Sequence, residues 1–140
     1  MQIKVKKLKP EAKLPKYHHP GDVGMDVYSM ETVTIMPGEH HRFMHGFAME
    51  FPIGYAAIIK DKSSTSNAGL HTMGGVFDAG FRGEYNTHIV NLSDKPYTVE
   101  EGDKIAQIVI YPVEIADLVE TDSLSESARG EGSFGSTGRK

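Results

Sequence analysis

Turn-forming residues recur along this chain at intervals too short for long helices. They are Pro20-Gly21, Pro37-Gly38, Pro52 with Gly54, Gly74-Gly75, Gly83 and Gly102-Asp103. Glycine and proline interrupt helices and strand ladders alike, so each pair closes a short segment. Between them lie runs rich in β-branched and aromatic residues: Val33 to Ile35, Tyr55 to Ile59, Tyr85 to Val90, Tyr97 to Val99 and Ile105 to Tyr111. No long window keeps its apolar residues at helical spacing. Many short strands in this arrangement point to an all-β sandwich or barrel rather than to alternating strand–helix units. Met1 to Lys6 alternates like a further strand and lacks the apolar run of a secretory signal.

A chain of 140 residues fits one domain with a sizeable core. The net charge of −4 argues against general nucleic-acid binding, which needs a basic face, but leaves room for a local pocket that takes a small phosphorylated ligand. With no cysteine, disulfide frameworks and thiolate metal sites are excluded. No apolar stretch approaches the roughly 20 residues needed to cross a bilayer. The expectation is a soluble cytoplasmic protein with no membrane partner.

Three segments carry candidate chemistry. Lys62-Ser63-Ser64-Thr65-Ser66-Asn67-Ala68-Gly69 reads as a loop opening one short helix, with a serine as N-cap and Gly69 as the stop. Hydroxyls and free N–H groups at such a place suit a phosphate, with Lys60 and Lys62 adding charge. The same pattern also describes a polar surface loop with a capping serine. The second segment, Gly74 to Glu84, reads as a tight hairpin. Gly75, lacking a Cβ, permits a flat ring to approach the backbone, and Asp78 is a candidate general base toward water. An Asx-type turn, with Asp78 bonding its own backbone, accounts for the same residues.

The third segment is the glycine- and serine-rich stretch from Arg129 to Lys140, which has little to bury and reads as a mobile arm. Its literal Gly-x-Gly-x-x-Gly, from Gly130 to Gly135, follows no strand–helix turn, so it carries no dinucleotide signal. Phe134 among small residues, near Arg129, Arg139 and Lys140, suits stacking on a base and gripping phosphate. The seven histidines match no metal-site spacing.

Taken in order, these pieces resemble the trimeric dUTPases, whose five motifs span the chain. Gly24-Met25-Asp26-Val27-Tyr28 is similar to the first, Lys62-Ser63-Ser64 through Gly69-Leu70 to the second, and Gly75 through Glu84 to the third. Gly102-Asp103-Lys104-Ile105-Ala106-Gln107 resembles the fourth and Arg129 through Gly138 the fifth. The resemblance implies a jelly-roll-like β-barrel or sandwich of the β-clip type, with one short helix. It divides the chain into a core of residues 1–128 and a flexible arm of 129–140 that closes over an active site.

The implied function is hydrolysis of dUTP to dUMP and pyrophosphate, lowering dUTP and supplying dUMP for thymidylate synthesis. Asp78 would activate the water that attacks the α-phosphorus. Gly75, Val76 and Phe77 would read uracil through their backbone, and Phe81 would lie beneath the deoxyribose. Lys62, Ser63, Ser64 and Gln107 would hold phosphates, while Arg129, Ser136 and Thr137 grip the γ-phosphate and Phe134, beside Gly135, stacks on uracil. Mg²⁺ would be held by phosphates and waters with no direct protein ligand, Asp26 touching its hydration shell. The implied partner is a second and third copy of the chain, each site drawing on all three.

Departures from the family pattern are Lys62 and Lys104 in place of arginines, Thr72 for an asparagine, Phe81 for a tyrosine and Ser133 for a glycine. Two alternatives share the fold. A dCTP deaminase would place an acid where this chain has His88. A nucleotide-responsive binding protein would need an interaction domain for which the stretch Thr87 to Glu101 is short.

Overall fold

The computed structural model describes residues 1–133. The expected contacts of Phe134, Gly135, Ser136 and Thr137 lie outside the described residues. Eleven strands and one short helix follow in order: β1 (Lys4–Lys7), β2 (Gly24–Tyr28), β3 (Val33–Ile35), β4 (His40–Met44), β5 (Phe47–Glu50), β6 (Tyr55–Asp61), α1 (Ser63–Asn67), β7 (Leu70–Met73), β8 (Val76–Asp78), β9 (Asn86–Asn91), β10 (Tyr97–Val99) and β11 (Lys104–Pro112). All ladders are antiparallel. They form a four-stranded sheet β2-β11-β6-β8, a three-stranded sheet β4-β9-β7, and the pairs β1-β5 and β3-β10. Among the described residues no ladder closes into a barrel.

Two apolar clusters explain this layering. Met25, Val27, Ala57, Ile59, Phe77, Ala106 and Ile108 from the four-stranded sheet pack against Phe47 and Met49 of β5. Ile35, Phe43, Leu70, Ile89 and Val99 bring the three-stranded sheet onto the β3-β10 pair. Strand β11 serves both clusters. Its register against β2 shifts between Lys104 and Ala106, and the extra residue of such a bulge breaks the alternation of faces. Consecutive Ile105 and Ala106 can therefore both be buried, in different clusters.

The runs read from β-branched and aromatic composition are β3, β6, β9, β10 and β11. Strands β2, β4 and β5 escape that reading because they contain Gly24 and Asp26, paired histidines, or the helix-favouring Ala48, Met49 and Glu50, and β7 and β8 also lie outside it. Their strand state comes from long-range pairing, as β5 shows by borrowing β1.

His45 ties the layers together and stores a pH dependence. It is 1% exposed. Its Nδ1–H donates to the Tyr28 carbonyl at 2.9 Å, so Nε2 accepts the Thr87 hydroxyl at 2.7 Å. Burial lowers its pKa from 6.5 to about 4, against smaller raising effects of the Tyr28 carbonyl and Glu84. Between these values the unfolded chain binds a proton that the folded one refuses. Stability therefore falls as pH drops from 6.5 toward 4, by on the order of 3 kcal/mol for this group. Urea unfolding at pH 7 and pH 4.5 should show the loss, and His45→Gln should remove that part of the slope. An unchanged slope in the variant would reject the assignment.

Candidate active site

The most polar cavity, about 360 Å³, is lined by His18, His19, Asp22, Gly24, Asp26, Lys62, Lys104 and Gln107. At its base lies Asp26 of β2, 6% exposed. A carboxylate this buried needs partners, and three elements supply them. Lys62, just before α1, places Nζ 2.9 Å from Oδ1. Lys104 of β11 reaches Oδ2 at 3.3 Å and His18 Nε2 the same oxygen at 3.2 Å. Gln107 stands opposite Asp26 on β11, and its amide donates to the Asp61 carbonyl at 2.9 Å. A Cβ at Gly24 would collide with the side-chain amide of Gln107.

The serine segment differs from expectation in one respect. The N-cap is Lys62, in extended conformation and without a side-chain capping bond, and the helix starts at Ser63. Thr65 anchors the turn, its hydroxyl donating to the Lys62 and Ile105 carbonyls. The Ser63 and Ser64 hydroxyls are thereby left exposed, with no hydrogen bond among the described residues. Gly69 ends the turn at φ +83°, as expected, and a Cβ there would meet Ser93 at 2.8 Å.

Asp78 ends β8. The Gly74-Gly75 pair is a crossover rather than a ladder turn, since β7 pairs with β9 whereas β8 pairs with β6. Both glycines have positive φ. The space of a Gly75 Cβ is taken by Ile59, at 2.7 Å, and the Gly75 carbonyl accepts the Ile59 N–H. Beyond it, Phe77 stacks on Tyr85 at 4.2 Å, and Tyr85 in turn on Phe47 at 5.5 Å. Burial pushes the Tyr85 phenol up to about 12. Its oxygen is the one buried side-chain polar atom without a partner among the described residues.

Phe81 leans on Phe77 and Tyr85, and a Cβ at Gly83 would press on the edge of its ring. Arg82 donates to the Ala79 and Phe81 carbonyls and fixes the turn. On this rigid base the Asp78 carboxylate is exposed. Its carbonyl accepts the Phe81 N–H, while its side chain makes no hydrogen bond among the described residues, so no Asx turn forms.

The two half-sites share the outer face of the four-stranded sheet but do not meet. Asp78 lies opposite Ala56 on β6 and Gln107 opposite Lys60, on the other flank of that strand. Four residues along β6 and two strand spacings across put their backbones roughly 16 Å apart. Ile58, Val76 and Val109 lie between them, Val76 being 66% exposed. Arg129 stands apart, in the exposed stretch that follows the last strand at Pro112, where its Nε donates to the Gly132 carbonyl.

Sequence reasoning missed His18, His19 and Asp22 as cleft residues. Their signal is an antiparallel bridge between Lys16 and Asp26 that lays the preceding loop along β2, and no local pattern announces it. It missed Asp61 as well. Partial burial pushes that carboxyl up, but the Thr72 amide and His71 outweigh this and hold it below the usual carboxylate range. Thr72 is thus occupied through its backbone. His88, where a deaminase would need an acid, pairs with His40 at 2.8 Å. Burial, with His40, Arg42 and His41 nearby, lowers its pKa. Among the described residues no three His, Cys, Asp or Glu side chains are grouped to hold a metal, and no helix is long and apolar enough to cross a membrane.

An antiparallel β fold with a polar, lysine-lined cleft and a separate acid on a glycine turn, unpaired among the described residues, is the class of protein that fold and site define. A family model described as dUTPase matches residues 10–138. The chain is 43% identical over 142 residues to the deoxyuridine 5'-triphosphate nucleotidohydrolase of Thermobifida fusca (strain YX), across 99% of this chain and 79% of the relative. It is 42% identical over 140 residues to that of Clostridium tetani (strain Massachusetts / E88), across 98% and 97%. It is also similar to the solved Staphylococcus bacteriophage 80alpha dUTPase with dUPNHPP, at TM-score 0.91 and 30% identity over 98% of both chains. A mutant dUTPase of phage phi11 of S. aureus, described as coordinating a structural Mg(II) ion, superposes at TM-score 0.83 and 25% identity over 90% of this chain and 100% of its own. The chain belongs to the dUTPase family and has its jelly-roll-like fold.

Proposed function

We propose that the chain hydrolyses dUTP to dUMP and pyrophosphate, with Asp78 as the general base. The observation that carries this reading is the Asp78 carboxylate: solvent-facing, unpaired among the described residues, and next in the chain to Phe77, which stacks on Tyr85. A water bound to it loses its proton to the carboxylate as its oxygen bonds to the α-phosphorus. The bond from that phosphorus to the bridging oxygen breaks, and pyrophosphate leaves. Such displacement needs positioning and charge stabilisation more than covalent chemistry.

The remaining roles follow from placement. Ser63 and Ser64, their hydroxyls uncommitted, with Lys62 and Gln107 in the cleft, bind phosphate oxygens. The backbone of Gly75, Val76 and Phe77 reads the uracil edge, and Phe81 presents its ring to the deoxyribose. Residues 1–128 form the body and 129–140 the closing arm, with Arg129 and, beyond the described residues, Phe134, Gly135, Ser136 and Thr137 as its contacts. Mg²⁺ fits this donor set as a phosphate-bound ion. Asp26 is committed to two lysines and His18, which leaves it to accept from a coordinated water rather than to ligate. When bound, the ion neutralises charge on the phosphates.

The roughly 16 Å between half-sites is the argument for a shared site in a homotrimer. The exposed Val76 and part-buried Ile58 and Val109 separate them on one chain, and the extended stretch after Pro112 exposes Ile115, Leu118, Val119 and Leu124, a composition that needs a neighbour to cover it. Pyrophosphate release from dUTP, dTTP, UTP and dCTP, with and without Mg²⁺, tests the function. Strong preference for dUTP is expected; similar rates on all four would reject the uracil–deoxyribose pocket. Ammonia release from dCTP would favour the deaminase instead.

A further inference from the structure

We propose that His18 is a positioning residue for the triphosphate, acting through Asp26 on Lys104; this rests on the cleft being the phosphate site. With the imidazoles neutral, the charges lining the cleft cancel, Asp22 and Asp26 against Lys62 and Lys104. Net charge therefore does not make this cleft grip an anion. The direction of its N–H donors does, and Asp26 sets that direction.

The carboxylate of Asp26 has three nitrogens around its two oxygens. Lys62 takes Oδ1 alone at 2.9 Å. Oδ2 is shared by His18 Nε2 at 3.2 Å and Lys104 Nζ at 3.3 Å. His18 Nε2 hydrogen-bonds with the Tyr28 hydroxyl at 3.3 Å, which holds the ring beside Oδ2. Three devices hold the ring there. The Lys16–Asp26 bridge pins the approach to β2. Asp22 accepts the backbone N–H groups of His18 and His19 at 3.1 and 2.8 Å, closing the turn. Tyr28 backs the imidazole.

The imidazole fills the place beside Oδ2 and keeps Lys104 from closing onto it. Without it, Lys104, on a flexible four-carbon stem and 40% exposed, is the one nitrogen left beside that oxygen and closes onto it. Its N–H groups then turn from the cleft. Ground-state grip on the triphosphate is lost, while Asp78, on a distant strand, is untouched.

Steady-state kinetics on dUTP and calorimetric binding of inorganic pyrophosphate, for wild type, His18→Ala, His18→Gln, Lys104→Ala and the double alanine variant, test this. His18→Ala should raise KM roughly five- to tenfold with kcat falling less than twofold, the signature of lost uniform binding. Pyrophosphate binding should weaken in parallel. His18→Gln, which restores an N–H donor, should recover most of the loss. In the double variant the effects should be non-additive, since His18 acts through Lys104. An unchanged KM in His18→Ala, or additive effects, would overturn the proposal. If Lys104→Ala still raises KM, the cleft assignment stands; if neither variant moves KM or pyrophosphate binding, that assignment fails too. Thermal unfolding of each variant separates a folding defect from lost grip.

Discussion

Asp78→Asn should lower kcat on dUTP on the order of a thousandfold, the range of a lost general base, while dUTP and non-hydrolysable analogues bind nearly as tightly as to wild type. Asparagine keeps the size and hydrogen-bonding reach of the side chain, so a water can still dock. What it loses is a lone pair basic enough to take a proton. The surroundings make the substitution unusually clean. The side chain of Asp78 forms no ion pair or hydrogen bond among the described residues, and the turn is held by the Phe81 N–H, the Arg82 guanidinium and the Phe77–Tyr85 stack. The unfolding free energy should accordingly change by no more than a surface substitution does, about 0.5 kcal/mol. Single-turnover rates and analogue affinity, measured on the same preparation, decide the matter. A kcat within tenfold of wild type would mean that another group accepts the proton, and tighter scrutiny would then fall on Asp61 and Glu84.

How much of this was legible in the sequence depends on whether the cause was local. The strands Val33–Ile35 and Tyr97–Val99 could be read residue for residue, because β-branched runs flanked by turn residues describe a pleated, half-buried segment without reference to anything else. Strand β2 could not. Its Gly24 makes way for Gln107 and its Asp26 organises the cleft, so the residues that make it functional are those that disguise it as a loop. The helix α1 was visible, but its cap was not. Local preference nominates a serine, and the structure uses Lys62, which is held instead by Asp26 from a strand 36 positions away. Asp78 stood out as a lone acid among glycines. His18 did not, because its role depends on a bridge between two segments that no spacing rule links. At Gly75 the sequence suggests room for a ring against the backbone, and within the chain the place of the missing Cβ is taken by Ile59.

Truncation after Ala128 should cut kcat/KM by on the order of a hundred- to a thousandfold, the cost of removing preorganised donors and water exclusion from a phosphoryl site. It should do so without loosening the body. Among the described residues of this stretch, every hydrogen bond is local: Arg129 to the Gly132 carbonyl, Gly132 to Arg129, and Gly130 to Ser127. Nothing from Arg129 to Ser133 belongs to either apolar cluster. A core deletion, by contrast, costs about 2–5 kcal/mol. Denaturant midpoints of the full and shortened chains should therefore coincide while turnover differs by orders of magnitude. The comparison also separates the arm from the apolar stretch before it. If Ile115, Leu118, Val119 and Leu124 are covered by a neighbouring copy, the chain ending at Ala128 keeps its oligomeric mass, whereas one ending at Pro112 loses it. A stability loss of core size on removing 129–140 alone would show that the arm belongs to the body, and the closing role proposed for it would have to be given up.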